Sequence, residues 1–82
     1  MNKDVKLRYI DKYEDVKDTK KLYEFDTFEL IGYYMSNYPA DPAGRLSYDI
    51  IENNIPSTIA TGVNKILVAL KELENEEEQL LV

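Results

Sequence analysis

Eighty-two residues make one small domain, and a chain of this length buries only about 60% of the surface that its unfolded form exposes. With no cysteine and no histidine, disulfides, thiolate metal sites, a cysteine nucleophile and the commonest general base are all excluded. The net charge of −6 opposes phosphate backbones and anionic lipid, and no apolar run approaches the roughly 18 residues of a membrane span.

The opening MNKDVKLRY lacks the apolar centre of a signal peptide, so a cytoplasmic protein is expected. A core this small favours self-association, since a partner subunit buries what a monomer cannot. The charge is unevenly spread. Residues 1–26 balance seven acids with seven bases, whereas residues 27–82 set nine acids against Arg45, Lys65 and Lys71.

Residues 3–20 carry two patterns. As a helix, Val5, Tyr9, Tyr13 and Val16 share a face with Ile10 at its edge, Asn2 caps the start, and Asp4 and Arg8 form an i,i+4 pair. As a strand, Val5, Leu7 and Tyr9 alternate with Lys6 and Arg8, until Asp11 falls on the apolar side. The helical pattern runs further and is preferred. The alternative is an α+β fold with a β-hairpin in residues 4–25 followed by three helices. After a break at Asp18–Lys21, Leu22–Phe25 reads as a short extended segment.

Asp26-Thr27-Phe28-Glu29 has the form of a capping box, with Phe25 and Leu30 at the staple positions, so a helix is predicted from Thr27. Its buried side is read as Phe28, Ile31, Tyr34, Met35 and Tyr38, and Pro39 ends it by pushing Tyr38 out of the helical region. Asp41-Pro42 opens the next helix, as N-cap and first helical residue. Ala43, Leu46 and Ile50 line its inner face with Ile51 at the margin. Asn53-Asn54 closes it, asparagine tolerating the left-handed cap.

Pro56 and Ser57 open the last and longest helix. There Ile59, Val63, Ile66, Leu70 and Leu73 recur at spacings of four, three, four and three, with Leu67 widening the stripe. The stripe fits a and d positions for two heptads, so it serves either as bundle core or as a homodimer seam. Glu72 to Glu78 places five glutamates in seven residues near a helix C-terminus, the unfavourable end of the dipole. Residues 74–82 are therefore expected to be a frayed acidic tail. The whole reads as a single all-α domain over residues 1–82, a bundle of about four helices.

Nothing in this pattern supports an enzyme, a cofactor or a metal site. Gly32, Gly44 and Gly62 are isolated and make no phosphate loop. Ser57 reads as a helix start, Glu14-Asp15 and Asp49 with Glu52 read as surface, and Asp11, Glu14, Asp15 and Asp18 lack the spacing and turn glycine of a calcium loop. The oddity is tyrosine, seven in all. Tyr33, Tyr34, Tyr38 and Tyr48 gather around the turn between the middle helices, beside Asp41, Asp49 and Glu52. Tyrosine offers apolar area with a polar tip, so these seven residues form a candidate protein-interaction face suited to a basic partner. The expectation is a small acidic protein-interaction or regulatory module without catalytic activity.

Two other readings compete. An acidic, aromatic surface can imitate nucleic acid and block a protein that binds it. Separately, Leu46–Val63 resembles in texture the helix-turn-helix of DNA-binding regulators, with Leu-Lys-Glu-Leu-Glu ending the second helix. The resemblance departs from the pattern in a turn one residue short, in Asn54 and Ile50 where a glycine and a small residue stand, and in a reading helix whose only cations, Lys65 and Lys71, come late. Nucleic acid is therefore the disfavoured partner, and a protein or a second copy of the chain the favoured one.

Overall fold

The structure, a computed structural model, describes the backbone of residues 3–81 and the side chains of residues 6–76. The expected cap at Asn2 and the Asp4–Arg8 pair lie outside what is described. Four helices follow one another: α1 (Lys3–Val16), α2 (Thr27–Asn37), α3 (Pro42–Glu52) and α4 (Ser57–Leu81). The fold is the expected small all-α bundle. No strand occurs among the described residues, and the segment offered as a hairpin carries α1 instead.

Of Leu22–Phe25, only Phe25 is extended. Leu22–Glu24 forms a single 3-10 turn, held by Glu24 N–H to Lys21 O at 2.8 Å and by the Glu24 carboxylate accepting the Lys21 amide at 2.9 Å. A tight i to i+3 turn brings Leu22 and Phe25 to the same side, which buries Phe25.

The capping box is formed as read. Asp26 Oδ1 accepts from the Glu29 amide, and Glu29 Oε1 accepts from the Asp26 amide, both at 2.9 Å. The staple residues Phe25 and Leu30 are both buried. Glu29 itself is fully buried, and Lys20 Nζ at 3.3 Å supplies its counter-charge.

α2 is the central helix. Leu30, Ile31, Gly32, Tyr34 and Met35 are all buried along it, so it is covered on several sides rather than one. α1 packs against α2, while α3 and α4 pack on each other and on α2. The crossing with α1 depends on Gly32: a Cβ there would lie 2.0 Å from Tyr9 O and 2.8 Å from Tyr13 Cβ. α1 therefore sits in near backbone contact with α2, which only glycine permits. Phe28 departs from expectation. It is 51% exposed and stacks on Tyr9 at 5.2 Å, because the crossing seats α1 at Gly32 and leaves Phe28 at its rim.

Along α4 the buried line is Ala60, Val63, Leu67 and Leu70, rotated toward Leu67 from the predicted stripe. α2 and α3 both approach from that side. α1 touches α4 chiefly through Lys6, whose Nζ meets Glu74 Oε1 at 2.9 Å. Ile59 and Ile66 are thus half-buried and Leu73 is 45% exposed. Of the five residues offered as a dimer seam, Val63 and Leu70 are spent in the chain's own core. The helical backbone of α4 runs on through the glutamates to Leu81, 25 residues or about 37 Å. No helix among the described residues is long and apolar enough to cross a membrane.

Candidate functional site

The turn between α2 and α3 is the chemical centre of the molecule. α2 ends at Tyr38, whose amide still bonds to Tyr34 O at 2.9 Å, and Pro39 prevents another turn. Asp41 then caps α3, its Oδ1 accepting from the Gly44 amide at 3.1 Å, with Pro42 in the first helical position. This geometry lays α3 against the last turn of α2.

The contact is polar at its core. Tyr34, fully buried on α2, donates its hydroxyl to Asp49 Oδ2 at 2.9 Å, and Asp49 on α3 is itself buried. Arg45, one turn before Asp49, brings Nε within 3.1 Å of Oδ1 and 3.2 Å of Oδ2; the directed hydrogen bond goes to Oδ2. The guanidinium lies 4.8 Å from the centre of the Tyr38 ring and 5.1 Å from that of Tyr48. A buried carboxylate, an arginine and two aromatic faces thus fix one another. Behind them Tyr33 packs edge-on to Tyr34 at 4.9 Å and to Tyr38 at 6.0 Å, and Tyr13 and Phe25 continue the aromatic chain toward α1.

The electrostatics follow from burial. Loss of water, then the bond to Asp49, drives the Tyr34 phenol well above its ordinary pKa. Burial, and after it the neighbouring Tyr38 hydroxyl, pushes Tyr33 up to about 12. Desolvation works against the Arg45 charge, but Asp49 outweighs it and holds the guanidinium above its ordinary value.

The predicted face divides accordingly. Tyr48, Asp41 and Glu52 are exposed, Tyr33 and Tyr38 are half-buried, and Tyr34 and Asp49 lie inside. Those last two cannot meet a partner; they brace the face from beneath. Tyr33, Tyr34, Tyr38, Tyr48 and Asp49 are brought together, with Arg45 as the joint. Asp41 and Glu52 stand at opposite ends of α3.

Two residues at the site were missed in the sequence. Arg45 was legible as one of three cations in residues 27–82, placed i,i+4 from Asp49 and i,i+3 from Tyr48. Ile51, assigned to the margin of the α3 core, is 81% exposed, beside Tyr48 at 63%. No local pattern marks it, because the inward line of α3 runs through Pro42, Leu46 and Asp49 and turns Ile51 to the far side.

A shallow groove of about 150 Å³ lies between the start of α3 and α4, lined by Pro42, Ala43, Leu67 and Val68 with Asp41, Lys71 and Glu72 at its rim. It is smaller than the 300–1,000 Å³ typical of a small-molecule site. No group of three metal-binding side chains occurs among the described residues. Compared with protein-family models, with curated proteins and with solved structures, the chain matches none.

Proposed function

We propose that this chain is a non-catalytic protein-binding module whose contact face is the outer side of α3. One observation carries the reading: Tyr48 and Ile51, neighbours on a helix fixed by its own buried network, are 63% and 81% exposed. Together they leave an aromatic ring and a branched aliphatic side chain largely in water on one helix face. Arg45 and Tyr38 flank them. Tyrosine and arginine are the residues in which binding energy concentrates, and a rigid backbone keeps the ordering cost of binding low.

A photo-crosslinking side chain at position 51, with a control at the exposed Thr58 on α4, tests the reading in cells that express the protein. Crosslinks to protein at 51, weak at 58 and abolished by Tyr48→Ala, are expected. Equal labelling at both positions, or none at 51, refutes it.

A second reading has one feature in its favour. The four-residue turn 53–56 joins α3 to α4, and Ser57, Thr58, Thr61 and Lys65 are exposed on the opening turns of α4, where a helix-turn-helix reads bases. Lys65 is the lone cation of that surface, so phosphate contact is weakly provided for. Salt-dependent retention on duplex DNA, lost in Lys65→Ala, would favour this reading over the first.

A further inference from the structure

Resting on that reading of the α3 face, we infer that its occupant is a second copy of this chain, with the two α3 helices antiparallel about a two-fold axis near Tyr48. The argument is the order of chemistry along the helix. Arg45 and Glu52, seven residues apart, share one flank of α3, with Tyr48 between them and Ile51 beside it. A two-fold that reverses the helix preserves the flank and exchanges its ends. Arg45 then faces Glu52 of the other copy, twice over, while a parallel two-fold carries the flank to the opposite side and forms neither pair.

Each side has what such a pair needs. Glu52 is exposed and has no ion-pair partner among the described residues. Arg45 uses Nε on Asp49, and its Nη donors have no hydrogen-bond partner among the described residues. The same register carries Ile51 to the level of residues 44–47 of the other helix. Gly44 and Ser47 are exposed there and present almost no bulk. A Cβ at Gly44 would lie 2.2 Å from Asp41 Oδ2, so a larger side chain there displaces the carboxylate that caps α3. A basic partner has less to recommend it, because the centre of the face is apolar and its one buried carboxylate is already neutralised from within.

The contact is small. α3 is 11 residues, about 16 Å long, so the pair buries less than the roughly 1,200 Å² of a standard interface and associates weakly. Sedimentation equilibrium of the full chain, from about 10 µM to about 1 mM, covers the range a small interface requires. The weight-average mass is expected to climb from 9.6 kDa toward twice that value. Ile51→Asp and Glu52→Lys should each raise the dissociation constant roughly tenfold or more, because symmetry counts every substitution twice. Both positions are exposed, and circular dichroism melts overlying the parent curve show that the variants fold. A mass fixed at the monomer value up to about 1 mM overturns the second-copy inference. Crosslinks from position 51 to a different protein would then keep the binding reading alive. A dimer unaffected by both substitutions overturns α3 as the seam.

Discussion

Replacing Gly32 by alanine sets two known effects against each other. In an unconstrained helix the change stabilises by about 0.8–1.0 kcal/mol, because glycine is the poorer helix former. At position 32 the new methyl would stand 2.0 Å from Tyr9 O, 2.6 Å from Tyr9 C and 2.8 Å from Tyr13 Cβ. Two of those atoms are backbone, so no rotamer relieves the overlap and α1 must move outward by about 1 Å. A gap of that size forfeits a quarter to a half of each dispersion contact it opens, and overpacking of this kind costs about 1–3 kcal/mol. The loss falls on Tyr9 and Tyr13, which pack α1 against α2. A net destabilisation of roughly 1–2 kcal/mol is expected, read from urea unfolding at constant m-value. Hydrogen exchange should accelerate in α1 more than in α3 and α4. Gly62→Ala is the control: nothing lies within 4 Å of its added Cβ, so stabilisation by about 0.8–1.0 kcal/mol is expected. If Gly32→Ala stabilised as much as Gly62→Ala, α1 would not be docked at this separation and the central position of α2 would fall with it.

Three further outcomes follow from the same structure. Tyr34→Phe keeps the ring but takes the hydroxyl from buried Asp49, so thermal unfolding should show a loss of about 1–3 kcal/mol, while Tyr48→Phe on the exposed face should stay within about 0.5 kcal/mol. Tyr33 and Tyr34 bind their phenolic protons more tightly in the fold than in the unfolded chain, so their contribution is complete below about pH 10 and declines as the pH rises toward about 12. A phenolate absorbance titration should show these two tyrosines ionising last, together with unfolding; seven groups titrating as one ordinary class would refute the burial argument. Asp26→Ala removes the acceptor for the Glu29 amide and should cost about 1 kcal/mol in a urea melt, a value near zero arguing against the cap.

The helices were legible wherever a local chemical device marks their ends. Asp26 with Glu29, Asp41 with Pro42, and Asn53-Asn54 each act within a few residues, so the sequence alone contains the whole interaction. Asn54 indeed takes the left-handed conformation, at φ 54°, and the Ile55 amide reaches Ile50 O at 3.2 Å to close α3. Which face of each helix is covered was less legible, because that depends on where the other helices sit. Gly32 looked like an isolated glycine and is the point where α1 crosses. Phe28 looked like core and is the rim of that crossing. The α4 stripe was centred between Ile59 and Leu73 on periodicity alone, whereas its covered line follows the side from which α2 and α3 approach. The tyrosine cluster was found by composition, but its joint, Arg45, lies in the pairing of charge and ring across a turn that no single helical pattern reveals.

The outer face of α3 is where the demands of the fold end. The helix is already secured inward by Leu46 and Asp49 and at its start by Asp41. None of these residues needs isoleucine at 51, and that position would serve the monomer as well with lysine or glutamate, which form helices better, while Tyr48 gives the fold only one ring face, to Arg45. Burying an isoleucine side chain is worth about 1.5–3 kcal/mol, and in the isolated chain most of that is unrealised at Ile51. The cost of holding α3 rigid, by contrast, is met in advance by the Tyr34–Asp49–Arg45 network beneath it. A face that is apolar at its centre, with Arg45 and Glu52 of opposite sign on either side of Tyr48, and fixed before any partner arrives has the makings of a docking site. In the second-copy proposal, the order of Arg45 and Glu52 along that face is what selects a reversed copy.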